Sequence, residues 1–210
     1  NLTIGGFVAR AVGEVTFTDC ESNADLSGFT GSNVIVGGFA GKAVNGNFRF
    51  ENCVSNATIV ISQNSIKAAG IVAVMEYYPT TVTIVNCTNN GRIVITGNDA
   101  VAGGAAAYIY RAGDISIDGF VNRGEIGASG RYAAGVVAYV ESGYGKAPCT
   151  LTVNRAYNYA SVSGRTAGGI VGAMVTPLKP TNVTASENHG TVSGVAFAGG
   201  IVARYEAGSN

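Results

Sequence analysis

The phrase AGGIVAR (residues 198–204) ends a stretch, SENHGTVSGVAFAGGIVAR (186–204), whose parts recur along the whole chain. Related phrases stand at 4–10 (IGGFVAR), 36–42 (VGGFAGK), 68–74 (AAGIVAV), 102–108 (AGGAAAY), 133–139 (AAGVVAY) and 167–173 (AGGIVGA). The third residue is always glycine: Gly6, Gly38, Gly70, Gly104, Gly135, Gly169 and Gly200. Successive spacings are 32, 32, 34, 31, 34 and 31 residues, the fixed period that marks a repeat architecture.

Two more landmarks keep the same step. NADL, NATI, NGRI, RGEI, YASV and HGTV each place a small residue two positions before an aliphatic one, at Leu26, Ile59, Ile93, Ile126, Val162 and Val192. Between that landmark and the glycine phrase lies an alternating run: VTF, FRF, VTI, ISI, LTV and TNV. Each repeat therefore carries three short strand-like pieces separated by Gly, Asn and Ser turns. The glycine load and the β-branched enrichment argue against helical repeats, and a propeller blade needs about 40 residues or more.

The pattern predicts an all-β chain, a parallel β-solenoid forming one domain over residues 1–210, with six to seven rungs of 31–34 residues. Rungs about 4.8 Å apart would stack to roughly 30 Å, with right-handed crossovers. The expected core columns are Val15, Phe48, Val82, Ile115 and Leu151, then Phe17, Phe50, Ile84, Ile117, Val153 and Val183. The phrases at either end have no polar or helical cap, so the chain reads as a segment of a longer array or as a subunit that stacks end to end.

Composition narrows the function. Charged residues make up 12% of the chain, a single histidine (His189) is present, and 13 Lys plus Arg balance 13 Asp plus Glu. No net field gathers nucleic acid, and no apolar run reaches the roughly 20 residues of a membrane span. No nucleophile elbow, zinc-protease motif, phosphate loop or dinucleotide fingerprint appears, so neither an enzyme nor a cofactor is expected.

In register, Cys20, Cys53 and Cys87 share a column with Phe120, Ala156 and Ser186, which reads as a packing position. A disulfide between adjacent rungs is the sharper alternative, but parallel side chains leave the Cβ atoms about 4.8 Å apart, beyond the preferred ~3.8 Å. Cys149 lies in an irregular insertion. Two positions after the cysteine column stand Ser22, Ser55, Asn89, Asn122, Asn158 and Asn188, a predicted ladder of side-chain amides bonding within and between rungs.

Outward columns of the middle strand read Thr16, Arg49, Thr83, Ser116, Thr152, Asn182 and Thr18, Glu51, Val85, Asp118, Asn154, Thr184. Glu51 and Asp118 stand two rungs apart, about 9.6 Å, too far for a retaining glycosidase pair and at the limit for an inverting one. The broken Thr array makes ice binding a minor alternative. In the first strand of each repeat, Val8, Ala40, Val72, Ala106, Val137, Val171 and Val202 stand directly beside a second apolar column, Phe7, Phe39, Ile71, Ala105, Val136, Ile170 and Ile201. Strands apolar on both faces are normally covered on both, so this column is expected to be a packing or assembly face. Sequons stand at Asn1, Asn56, Asn86 and Asn182. Insertions carrying Tyr77, Tyr78 and Tyr144 offer ring surface for contact.

The glycine phrase, a following strand, an Asn-rich turn and a V-S-G ending, clearest in SENHGTVSG with AGGIVAR and in NYASVSG with AGGIVGA, resemble the GLUG-type repeats of bacterial surface and adhesin-like proteins. NATIVIS and NGRIVIT depart from that ending. The resemblance implies a secreted or cell-surface β-solenoid and no catalytic residue. The expected role is therefore structural or adhesive, in a filament subunit or in a rod that packs on itself or on other parts of a larger protein and meets a glycan or host surface. A carbohydrate-binding or carbohydrate-degrading β-helix is the alternative.

Overall fold

A computed structural model describes residues 2–77, 80–142, 149–175 and 181–206. They wind into a parallel β-solenoid of about six turns, with no helix. Every pairing of named strands joins one repeat to the next. Phe48, for example, is the register partner of both Val15 and Val82, and Ile115 of both Val82 and Leu151. Three sheets of 9, 11 and 6 strands run the length of the stack.

The glycine phrase is not one strand. In the second repeat Val34–Gly37 belongs to the nine-stranded sheet and Ala40–Glu51 to the eleven-stranded one, with the chain bending at Gly38 and Phe39. Only glycine fits the bend: a Cβ on Gly104 would lie 2.0 Å from the carbonyl oxygen of Gly135 in the next rung. A two-residue strand at the asparagine turn, such as Thr88–Asn89, forms the third sheet. Sequence periodicity merges the first two strands because both are apolar, and it passes over a strand too short to alternate.

The glycine bend pushes inward until it meets the asparagine turn on the opposite side of the coil. This contact is a waist that divides the interior into two cores. One lies between the strands that follow the bend and the middle strands, and contains Phe39, Met75, Ile84, Ile109, Ile117 and Val153. The other lies between the strands before the bend and the strands carrying the Leu26 to Val192 column, and contains Val36, Ile59, Ile66, Ile93 and Ile126. Stacked rings continue from rung to rung, Phe7 on Phe39 at 4.9 Å and Phe17 on Phe50 at 5.2 Å between centroids. Single rungs cannot bury such faces, so stability comes from neighbours.

The waist is polar. Asn89 Nδ2 donates to Asn122 Oδ1 at 2.8 Å, Asn122 Nδ2 to Asn158 Oδ1 at 2.7 Å, and Asn158 Nδ2 to Asn188 Oδ1 at 2.7 Å. Each amide also donates to a carbonyl two residues on, at Gly91, Gly124, Ala160 and Gly190. The first three asparagines are fully buried, and bonding along the ladder offsets the cost of burying Asn122 and Asn158, while the Oδ1 of Asn89, at the start of the ladder, has no partner.

The column read as a packing or assembly face lies in the interior of the coil. Ala40, Val72, Ala106, Val137 and Val171 have no exposed surface and pack in the first core, with Val8 and Val202 half-buried against it at the two ends. The bend turns two successive residues, Phe39 and Ala40 for instance, toward the same interior. The apolar positions left over are Ala73, Ala107 and Ala138, which face outward into a cleft.

Corners away from the glycines are left-handed. Asp19, Asn52, Asn86, Gly119, Arg155 and Ala185 form one column after the middle strand, all with φ between 46° and 68°. Asp, Asn and Gly adopt this conformation at little cost, which accounts for the D-C and N-C pairs of the first three repeats.

Candidate functional site

Outside the waist, the two strands flanking each glycine bend form a re-entrant cleft along the stack. One wall carries Thr3, Ile35, Lys67, Val101, Tyr132, Thr166 and Phe197, paired in register. The other carries Arg10, Lys42, Val74, Tyr108, Tyr139, Ala173 and Arg204. Ala69, Ala73, Ala107, Ala134 and Ala138 are fully buried at its base, small enough for the walls to close on one another.

Tyrosines fill the middle of the cleft. Tyr132 stacks on Tyr139 at 4.5 Å and Tyr139 on Tyr108 at 5.1 Å. The Tyr139 hydroxyl donates to Glu141 Oε2 at 3.0 Å and the Tyr108 hydroxyl to the same oxygen at 3.4 Å. Burial, with the Glu141 carboxylate adding to it, pushes the Tyr108 phenol up to about 12 and drives Tyr139 the same way.

Cations bracket the tyrosines. Toward the first rungs Lys42 Nζ bonds Glu76 at 2.6 Å, and Lys67 lies 5.1 Å above the Tyr108 ring. Burial first, and then Lys42, depress the Lys67 ammonium below its usual value. Toward the last rungs a cavity of about 450 Å³ opens between Arg131, Arg165 and Arg204, with Asp99, Tyr132 and Phe197 among its other lining residues.

Sequence reasoning missed this cleft, although a signal was present. The seventh letter of the glycine phrase is Arg10, Lys42, Tyr108, Tyr139 or Arg204 in five of its seven occurrences, the one place where an apolar phrase turns polar or aromatic.

Other expected residues are scattered over the surface. Asn86 and Asn182 are exposed sequon asparagines. Asn56 is half-buried, with its Nδ2 donating to Glu21 Oε1 at 2.7 Å and Asn23 Oδ1 at 2.8 Å, so that amide is already committed to its own ladder. Tyr77 is 52% exposed on the edge where the insertions emerge. Asn1, Tyr78 and Tyr144 lie outside the described residues.

Glu51 and Asp118, the outward carboxylates two rungs apart, are each ion-paired. Arg49 Nε reaches Glu51 Oε2 at 2.9 Å, and Arg155 grips Asp118 through Nε at 2.9 Å and a terminal nitrogen at 2.5 Å. The Arg155 hydrogen bonds hold Asp118 below the usual carboxylate range, the wrong direction for a general acid. Arg49 and Asn182 interrupt the threonine column, as its register requires.

Cys53 and Cys87 are buried thiols in adjacent rungs. The Cys53 backbone N–H points at Cys87 Sγ at 3.4 Å, and Cys53 Sγ lies 3.3 Å from the Glu51 carbonyl. Burial raises both thiol pKa values, Cys87 to about 12. Among the described residues no group of three or more His, Cys, Asp or Glu is placed to hold a metal ion, and no helix is long and apolar enough to cross a membrane. Compared with known proteins, the chain matches no protein-family model, no curated protein and no solved structure.

Proposed function

We propose that this chain is a non-enzymatic structural and adhesive element of an extracellular or cell-surface protein, a rod built of GLUG-like repeats. One observation carries the reading: three sheets join successive rungs along the stack, an asparagine ladder ties four of those rungs together, and the first and last described rungs each have a strand partner on one side only among the described residues. Apolar side chains accompany those edges, Phe7 and Val12 at one end and Val195, Ile201 and Tyr205 at the other.

The rod reading is tested by electron microscopy of the native protein, with filaments or extended arrays expected; well-separated single particles at high concentration would sink it. Gly200→Ala sharpens the test. A Cβ at Gly169 would lie 2.0 Å from the Gly200 carbonyl, whereas one at Gly200 meets nothing within 4 Å. Alanine there should leave the rungs folded and block the arrival of a further one.

Carbohydrate binding is a second reading, favoured by the cleft, where guanidinium groups and aromatic rings line one concave surface. Such a surface fits the adhesive part of the proposal.

A further inference from the structure

Arg131 and Arg165 immediately precede Tyr132 and Thr166, which are register partners in adjacent rungs just past a register shift, and both arginines line the same cavity. Like charges on neighbouring strands repel. Arg204 faces them from the other wall and completes the lining of the 450 Å³ cavity. Three of the nine arginines of a chain with no formal net charge thus meet at one concavity.

Compensation inside the cavity is incomplete. Arg204 bonds Glu206, and Arg131 approaches Asp99 only to 3.7 Å, with both of those side chains half-exposed. Arg165 has no carboxylate at ion-pairing distance among the described residues. An arrangement that gathers cations without neutralising them is stabilised by an incoming anion, and guanidinium forks match planar carboxylates in particular.

The rest of the lining adds an apolar requirement. Phe197 is 46% exposed with Arg204 5.4 Å above its ring, and Tyr132 carries Arg131 at 5.2 Å. Tyr132 is only 7% exposed and is taken up by Tyr139 and Arg131, so the open ring surface beside the guanidinium groups is that of Phe197, which suits a ligand with a C–H face next to a carboxylate, as in the pyranose ring of a uronic acid. Its direction is given by the cleft, which runs from this cavity past the tyrosines to a second, smaller cavity of about 210 Å³ lined by Lys42 and Lys67.

We propose that the cavity between Arg131, Arg165 and Arg204 binds a carboxylated sugar of an acidic polysaccharide, with the strand of sugars lying along the cleft. This rests on the adhesive part of the function proposed above and names its ligand.

The test follows tyrosine fluorescence, available because the chain lacks tryptophan, as a galacturonate tetrasaccharide is titrated into the protein. Its methyl ester and a tetraglutamate peptide serve as competitors of equal length. The acid sugar should bind, and both controls should bind roughly tenfold or more weakly, as expected when charge-assisted bonds and ring packing act together. Arg165→Gln should weaken the sugar several-fold at an unchanged melting temperature, since the side chain is exposed and unpaired. Absence of binding, equal affinity for the ester or the peptide, or full affinity in Arg165→Gln would each overturn the proposal. The titration is read on single particles, so its failure leaves the rod and its microscopy untouched, and the absence of filaments leaves the cleft untouched.

Discussion

Gly70 and Asn89 touch across the waist of their rung: a Cβ on Gly70 would lie 2.4 Å from the Asn89 side-chain oxygen. Gly104 with Asn122, Gly135 with Asn158 and Gly169 with Asn188 repeat the contact. The glycine phrase and the asparagine turn, two recurring features of the sequence, are thus two sides of one joint.

Gly104→Ala is expected to be severely destabilising, because the new methyl group would meet the Gly135 carbonyl at 2.0 Å and has only backbone to displace. A loss of about 3 kcal/mol or more is expected by analogy with overpacked sites. Thermal unfolding of this variant against Gly200→Ala provides the comparison, and equal midpoints would show that the joint does not set stability.

Ser55→Asn should stabilise the protein. The buried Ser55 hydroxyl and the Asn89 Oδ1 atom have no hydrogen-bond partner, because the amide ladder stops where its column changes from asparagine to serine. An asparagine at 55 would extend the ladder by one bond, worth about 1 kcal/mol, or about 2–4 °C in melting temperature for a chain of this size. Calorimetry decides, and a lower midpoint would mean that the second rung lacks room for the amide.

Ala185→Gly should also raise stability. Ala185 sits at φ 46° in the left-handed corner column, where an L side chain costs about 1–2 kcal/mol. Glycine releases that strain but gains freedom in the unfolded chain, so the net gain is about 1 kcal/mol or less. Denaturant midpoints of the two proteins measure it.

Alkaline pH should unfold the protein through its buried thiols and phenols. Cys87 and Cys149 are raised from 9.0 to about 12 by burial, and Tyr108 from 10.0 to about 12 by burial and Glu141. Their unfolded forms release protons first, so the stability they contribute is complete below about pH 9 and is lost as pH climbs from 9 toward 12. Below pH 9 Cys53 and Cys87 should resist alkylation for as long as the rungs stay closed, since the reactive species is the thiolate. Rapid labelling of both in the folded protein would contradict their burial. Replacing Cys53 by alanine tests the packing role separately: stability should fall while the fold persists.

Much of this architecture was legible in the sequence because a solenoid writes its register as a period. The Val15 and Phe17 columns, the cysteine column and the Ser22 to Asn188 ladder all lie where the spacing puts them. Direction at the glycine bend was not legible. Val72 and its equivalents belong inside because the chain turns sharply at Gly70, and alternation counted through a bend assigns the wrong face. The cleft was hidden for the same reason: Tyr132 and Tyr139 are seven residues apart along the chain, yet their rings stack across the bend at 4.5 Å.

The direction of the hydrogen bonds has a mechanical consequence. Backbone bonds between rungs and the Asn89–Asn122–Asn158–Asn188 chain all point along the stack. Tension applied between the two ends therefore loads them in series, and the end rung peels while those behind it stay closed. Each peeled rung releases 31 to 34 residues, about 110 Å of extended chain. Stretched this way, the solenoid would lengthen stepwise, one rung at a time, and dissipate work before the whole stack opens.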